Sequence, residues 1–180
     1  MPTPSCQPDM TMAAIESAFP AARRALFRAF HIGGCSSCGF QPEETLEQVC
    51  LRNENLDPAR AVETILAAQV EEDRLQCSPL DINARLKKGE AIRLVDIRSR
   101  EEHEAVHIPG SELLSQELTR QLLDHAGPGA VVFYDHQGKH IMDAVSYFIG
   151  HGLKEAYALK GGIDAWAVEV DPSLPRYQIG

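Results

Sequence analysis

Residues 94–114 read LVDIRSREEHEAVHIPGSELL, residues 131–140 read VVFYDHQGKH, and residues 152–166 read GLKEAYALKGGIDAW. The first stretch lies on a short β run, Ile92–Ile97. In the second, Val131–Tyr134 is continuously apolar, the pattern of a strand buried on both faces. Ala156–Leu159 is a third, shorter run. Helical patterns fall between them, over 80–88, 99–106, 116–125 and 138–151. Strands alternating with helices predict an α/β unit: a parallel sheet with helices on both faces.

Several of these residues carry simple structural expectations. Arg98 suits an ion-pairing role beneath a loop, and His107-Ile108-Pro109-Gly110 a turn that sets the next strand. Gly161-Gly162 would let a helix start tightly against the sheet, and Trp166 would close its apolar edge. Taken together and in order, Asp96, Arg98, Glu102, His107–Gly110, Gly161, Gly162 and Trp166 resemble the rhodanese module over about residues 78–170.

That resemblance implies a reactive cysteine at the end of the buried strand, inside a six-residue loop of backbone amides. Such a nest lowers a thiol pKa and stabilises a bound persulfide. Here the loop would be Asp135-His136-Gln137-Gly138-Lys139-His140, and the cysteine position falls on Asp135. Gly138 stands where the family has glycine, and His140 where it often has arginine. A carboxylate has no sulfur to carry a transferred atom. The expectation is that Asp135 fills the nest itself. A general base, or a metal ligand assisted by His136 or His140, stays open beside it.

Upstream, the signals from Met10 to Ala68 are all helical. Met12, Ile15 and Phe19 form one stripe, and Ala22, Leu26 and Phe30 another. Gln41-Pro42-Glu43-Glu44 reads as the first turn of a third helix with Cys50 on its buried side; Asp57-Pro58 opens a fourth. The expected organisation is a flexible tail over 1–9, a small all-α domain over 10–69, a linker over 70–77, and the rhodanese-like domain over 78–180.

Between the second and third helices lies HIGGCSSCGF. Two residues between Cys35 and Cys38 allow the sulfurs to meet in a disulfide or to share one metal. A helix opening about four residues after Cys38 would favour a thiolate there. The segment from Met10 to about Asn55 resembles a small redox-disulfide domain associated with hybrid-cluster proteins, and more distantly the N-terminal domain of iron–sulfur repair proteins. Three readings of the pair stay open: a redox or sulfur-accepting site, a metal or iron–sulfur site, and two small packed residues. Cys50 and His31 are the nearest further ligands for a metal. Cys6 and Cys77 carry no assigned role.

Composition narrows the class. Seventeen Lys and Arg against 26 Asp and Glu leave a net charge of −9, which argues against nucleic acid and anionic membrane surfaces as partners. No apolar run reaches the roughly 18–20 residues of a membrane span, and no secretory leader is visible, so a cytoplasmic location is expected. The leading expectation is an accessory sulfur or redox protein. In it an inactive rhodanese-like module binds a protein partner or sulfur carrier and Cys35/Cys38 form the thiol site. The alternatives are a thiol-disulfide oxidoreductase or sulfurtransferase using that pair, and a metal or iron–sulfur protein. A homodimer is compatible with either.

Overall fold

The computed structural model describes residues 5–33, 39–125 and 127–177. Its contacts divide the chain into two units, Met1–Arg74 and Leu75–Gly180. Among the described residues no helix is long and apolar enough to cross a membrane.

The first unit is helical: α1 (Met12–Ala18), α2 (Ala22–Phe30), α3 (Leu46–Arg52) and α4 (Pro58–Arg74). Its core gathers Met12, Ile15, Phe19, Leu26, Leu46, Val49 and Ile65, and Cys50 is fully buried among them. The starts of α1 and α3 are tied together. Met12 N–H donates to the Glu44 carbonyl at 2.8 Å, and Leu46 N–H to the Met10 carbonyl at 3.1 Å.

Three expectations change here. The third helix opens at Leu46, not near Pro42, because Thr45 caps it: its side chain takes the Gln48 N–H while the Gln48 side chain takes the Thr45 N–H. Residues 5–9 are no frayed tail, since Cys6 is buried in the helical core and the Pro8 carbonyl accepts from Glu47 N–H at 2.9 Å. Nor do residues 70–77 form a linker. The charges that suggested one belong to α4, whose Glu72 turns inward to pair bidentately with Arg24 of α2, at 2.8 and 2.6 Å, while Glu71, Asp73 and Arg74 face solvent. Gln76–Cys77 then enters the sheet of the second unit.

That second unit runs β1 (Gln76–Cys77), α5 (Pro79–Lys87), β2 (Ile92–Asp96), α6 (Arg100–Ala105), β3 (Glu112–Leu113), α7 (Gln116–His125), β4 (Ala130–Tyr134), α8 (Ile141–Gly150), β5 (Ala156–Leu159) and α9 (Gly162–Glu169). The five strands are parallel, in the order β1-β5-β4-β2-β3. Every residue of β4 is buried, as its unbroken apolar run predicts. One face packs Val131 and Phe133 against Leu122, Val145 and Phe148. The other packs Val132 and Tyr134 against Ile82, Ile163 and Trp166. This is the rhodanese-like architecture expected. The edge strands β1 and β3 have two residues each, too few for any periodicity to announce them. The helix expected over 138–151 begins at Ile141, which leaves 135–140 as a loop.

The capping box makes the start of α3 testable. Thr45→Ala should cost the helical unit about 1 kcal/mol and Thr45→Ser much less, read by urea unfolding followed by circular dichroism.

Candidate binding site at the switch point of the sheet

Strand β2 leads through α6 to β3 on one flank, whereas β4 leads through α8 to β5 on the other. The chain therefore diverges at the carboxyl ends of the adjacent strands β2 and β4, the place where open parallel sheets bind ligands. A cavity of about 630 Å³ opens there, between Arg98 and Glu102 on one side and Asp135, His136 and Lys139 on the other. Its size lies within the usual range of small-molecule sites, about 300–1,000 Å³.

The floor is an ion pair. Asp96, the last residue of β2, is fully buried, and Arg98 is nearly so. Arg98 donates from Nε and Nη2 to the two carboxylate oxygens at 2.9 and 2.6 Å, and its backbone N–H adds a third bond at 3.0 Å. His103 donates from Nδ1 to the same carboxylate at 2.9 Å. Arg98 Nη2 also reaches the Val106 carbonyl at 2.7 Å. Burial works to raise the Asp96 pKa, but the bonds from Arg98 and His103 outweigh it and hold it below the carboxylate range. Burial likewise works against the Arg98 charge, and the Asp96 carboxylate more than restores it. The ion-pairing expectation for Arg98 thus acquires its partner. Nearby, the His107–Gly110 turn is held through Ile108 N–H, which donates to the Tyr134 hydroxyl at 3.3 Å, and it delivers β3 two residues later. Burial pushes the Tyr134 phenol up to about 12.

The loop itself is held from two sides. Below, the Asp135 carboxylate accepts from Gly138 N–H and, at 2.9 Å, from His140 N–H. Behind, the first turn of α9 reaches up to it. Ile163 N–H donates to the Asp135 carbonyl and Asp164 N–H to the His136 carbonyl, both at 3.0 Å. This approach needs Gly162 and Gly138. A Cβ on Gly162 would lie 2.4 Å from the Asp135 carbonyl oxygen, and one on Gly138 would lie 2.8 Å from Gly161 N. Both glycines have positive φ, +60° and +78°.

The structure therefore brings Asp135, His136, Gly138 and His140 together with Arg98 and Glu102. His136 is buried, while Gln137, Lys139 and His140 are exposed. Among the described residues no three His, Cys, Asp or Glu side chains converge as a metal site, so Asp135 with His136 and His140 does not form one. Cys35 and Cys38 lie outside the described residues. The helix expected about four residues after Cys38 begins at Leu46, eight residues on. His31 is the left-handed C-cap of α2. Sequence reasoning missed Tyr177, whose hydroxyl meets Arg98 Nη1 at 2.7 Å and Glu102 at 3.0 Å. It lies 79 residues from Arg98 in an irregular segment, and no periodicity marks it.

The Rhodanese-like domain family matches residues 78–169. The thiosulfate sulfurtransferase GlpE of Pseudoalteromonas translucida is 27% identical over 88 residues, spanning 48% of this chain and 84% of that one. The probable adenylyltransferase/sulfurtransferase MoeZ of Mycobacterium tuberculosis is 28% identical over 103 residues, 56% of this chain but 26% of its own length. Among solved structures, the rhodanese-like domain of Anabaena Alr3790 is 21% identical with a TM-score of 0.47, covering 59% of this chain and 87% of that one.

Breaking the floor gives a direct test. Asp96→Asn leaves Arg98 buried without its counter-charge and should destabilise the second unit by about 3–5 kcal/mol in urea unfolding. Trp166, the single tryptophan, reports that unit by fluorescence. Because the Asp96 pKa is depressed on folding, its contribution is present above the ordinary value of about 3.9 and is lost as pH falls through the folded value. The wild type should accordingly lose stability below about pH 4 more steeply than Asp96→Asn.

Proposed function

Because this chain belongs to the rhodanese-like family through residues 78–169, we propose that it is an accessory protein of sulfur metabolism whose rhodanese-like module binds rather than catalyses. Relatives named as sulfurtransferases support the sulfur context. One observation carries the rest of the reading: the Asp135 carboxylate takes the loop amides of Gly138 and His140. In the family's pattern that position carries the sulfur-bearing cysteine. An aspartate there offers no atom on which a persulfide can form. It also places a negative charge where an incoming thiosulfate would sit. Two like charges near 4 Å in a partly shielded site repel by about 1–4 kcal/mol.

The thiol chemistry then falls to Cys35 and Cys38. A second observation favours this pair. The described thiols Cys6, Cys50 and Cys77 are each held above their ordinary pKa by burial, Cys77 up to about 11. They are poor nucleophiles and poor ligands at neutral pH. On this reading the CxxC pair exchanges sulfur or electrons with a protein partner or sulfur carrier. The same argument serves the second reading, in which Cys35 or Cys38 is the nucleophile of a thiol-disulfide oxidoreductase or sulfurtransferase. Holding a metal or an iron–sulfur cluster would need further ligands beyond the pair.

Two measurements test this. The wild-type protein should show no thiosulfate:cyanide sulfurtransferase activity. Asp135→Cys should create a thiol with a pKa below the free value of about 8.5, because loop amides favour the thiolate. Weak persulfide formation should follow. Sulfur transfer by a wild-type loop that survives removal of Cys35 and Cys38 would overturn the proposal.

The second measurement is thiol mapping. With iodoacetamide at neutral pH and mass-spectrometric readout, Cys35 or Cys38 should be labelled well before Cys6, Cys50 and Cys77. Equal, slow labelling of all five would instead mark the pair as packed residues.

A further inference from the structure

One group at the site is left without a role by the loop's own bonding. His136 is only 7% exposed, and its Nδ1 has no hydrogen-bond partner. Buried polar atoms are almost always hydrogen-bonded, so the surroundings of this ring call for an explanation. What covers it is Tyr177, with ring centroids 4.4 Å apart and planes tilted by 58°.

Tyr177 arrives on a strap that leaves α9 and folds back over it. Leu174 N–H closes a turn on the Asp171 carbonyl at 3.1 Å, and Arg176 pairs bidentately with Asp164 at 2.7 and 3.0 Å. At the end of the strap the Tyr177 hydroxyl receives the Arg98 Nη1–H at 2.7 Å and donates to Glu102 at 3.0 Å. Arg98, Glu102 and His136 also line the cavity beside the loop. One phenol therefore engages three groups of the site: a cationic donor, an anionic acceptor and an imidazole face. Asp96 and the Val106 carbonyl occupy the other side of the guanidinium, which leaves Nη1 for this contact.

The anchor of the strap is weak. In the Arg176–Asp164 pair the arginine is exposed and the aspartate partly so, and pairs open to solvent contribute little. Among the described residues the last backbone bond of the strap is that of Leu174. Leu174 and Tyr177 add partly buried packing against the core of the second unit, and a segment with so few backbone bonds opens at less cost than global unfolding.

We propose that Arg98, Glu102 and His136 form a binding site for a phenolic hydroxyl, that Tyr177 fills it in cis, and that a tyrosine side chain of a partner peptide takes its place when the strap lifts. The proposal rests on reading the 135–140 loop as a binding surface. The donor–acceptor pair selects a hydroxyl that can both accept and donate a hydrogen bond, so a methyl ether fails at Glu102. The imidazole adds a ring contact, since the Tyr177 ring lies tilted against it with centroids 4.4 Å apart. The cis tyrosine acts as a competitor that any partner must displace, which sets a threshold on partner affinity.

Histidine modification by diethyl pyrocarbonate, mapped by mass spectrometry with exposed His140 as internal reference, tests the site. In the wild type His136 should react at least about tenfold more slowly than His140, because Tyr177 covers it. In Tyr177→Ala the His136 rate should rise towards that of His140. Millimolar 4-methylphenol should restore protection, and 4-methylanisole should not. An unchanged His136 rate in Tyr177→Ala, or equal protection by the ether, overturns the proposal. Tyr177→Phe guards against simple unfolding, since it keeps the ring and removes only the two hydroxyl bonds. Faster His136 modification there, with Trp166 emission unchanged, supports the proposal; no acceleration overturns it. Sulfur-transfer assays are independent of this readout, so a catalytically active loop would strike the functional reading and leave the His136 measurement to stand alone.

Discussion

The buried pair between Asp96 and Arg98 is the constraint on which the rest of the second unit's functional end depends. A carboxylate at the end of a central parallel strand has no water to solvate it, so it must be paired or neutral. Arg98 pairs it with both carboxylate oxygens and, in doing so, is drawn back across the strand end. From there the guanidinium reaches the Val106 carbonyl and the Tyr177 hydroxyl. One charge thus holds the end of β2, the exit from α6 and the C-terminal strap. The pair costs desolvation and gives geometry in return. An apolar pair of equal volume would pack the same space and organise none of these segments.

Across the switch point the loop after β4 is fixed by a different economy, one of backbone contacts. The first-turn amides of α9 lack partners within their own helix, and they find them in the carbonyls of Asp135 and His136. Such contact is only open to a helix that begins with glycine, because a single Cβ on Gly162 would overlap the loop. The Asp135 carboxylate then completes the loop from within, by taking amides that an external anion would otherwise use. The loop is closed on itself and needs no ligand to hold its shape.

The alternation of apolar strands and amphipathic helices after residue 78 specified the parallel sheet, because burial on both faces forces an unbroken apolar run and every crossover needs a covering helix. Asp135 at the end of that run, Gly138 in the loop and Gly161-Gly162 beyond it were legible too, since each is a local chemical demand. The start of α3 was misread because a proline followed by acids imitates a first turn. Thr45 and Gln48 decide it by reciprocal bonds three residues apart. The supposed linker was misread for a related reason: its charges belong to a solvated helix face, and only the Arg24–Glu72 pair reveals which side faces inward.

What the sequence determined by itself was the fold of the second unit and the chemical identity of its loop, because periodicity and residue type act over a few neighbouring positions. Only the tertiary structure decided which groups meet. Arg98 finds Asp96 two residues away, but Tyr177 finds Arg98 from 79 residues away and Glu102 from 75. The short edge strands Gln76–Cys77 and Glu112–Leu113 exist only because β5 and β2 offer free edges to pair with. Contacts of that kind are set by where the sheet returns the chain in space, and no local pattern encodes them.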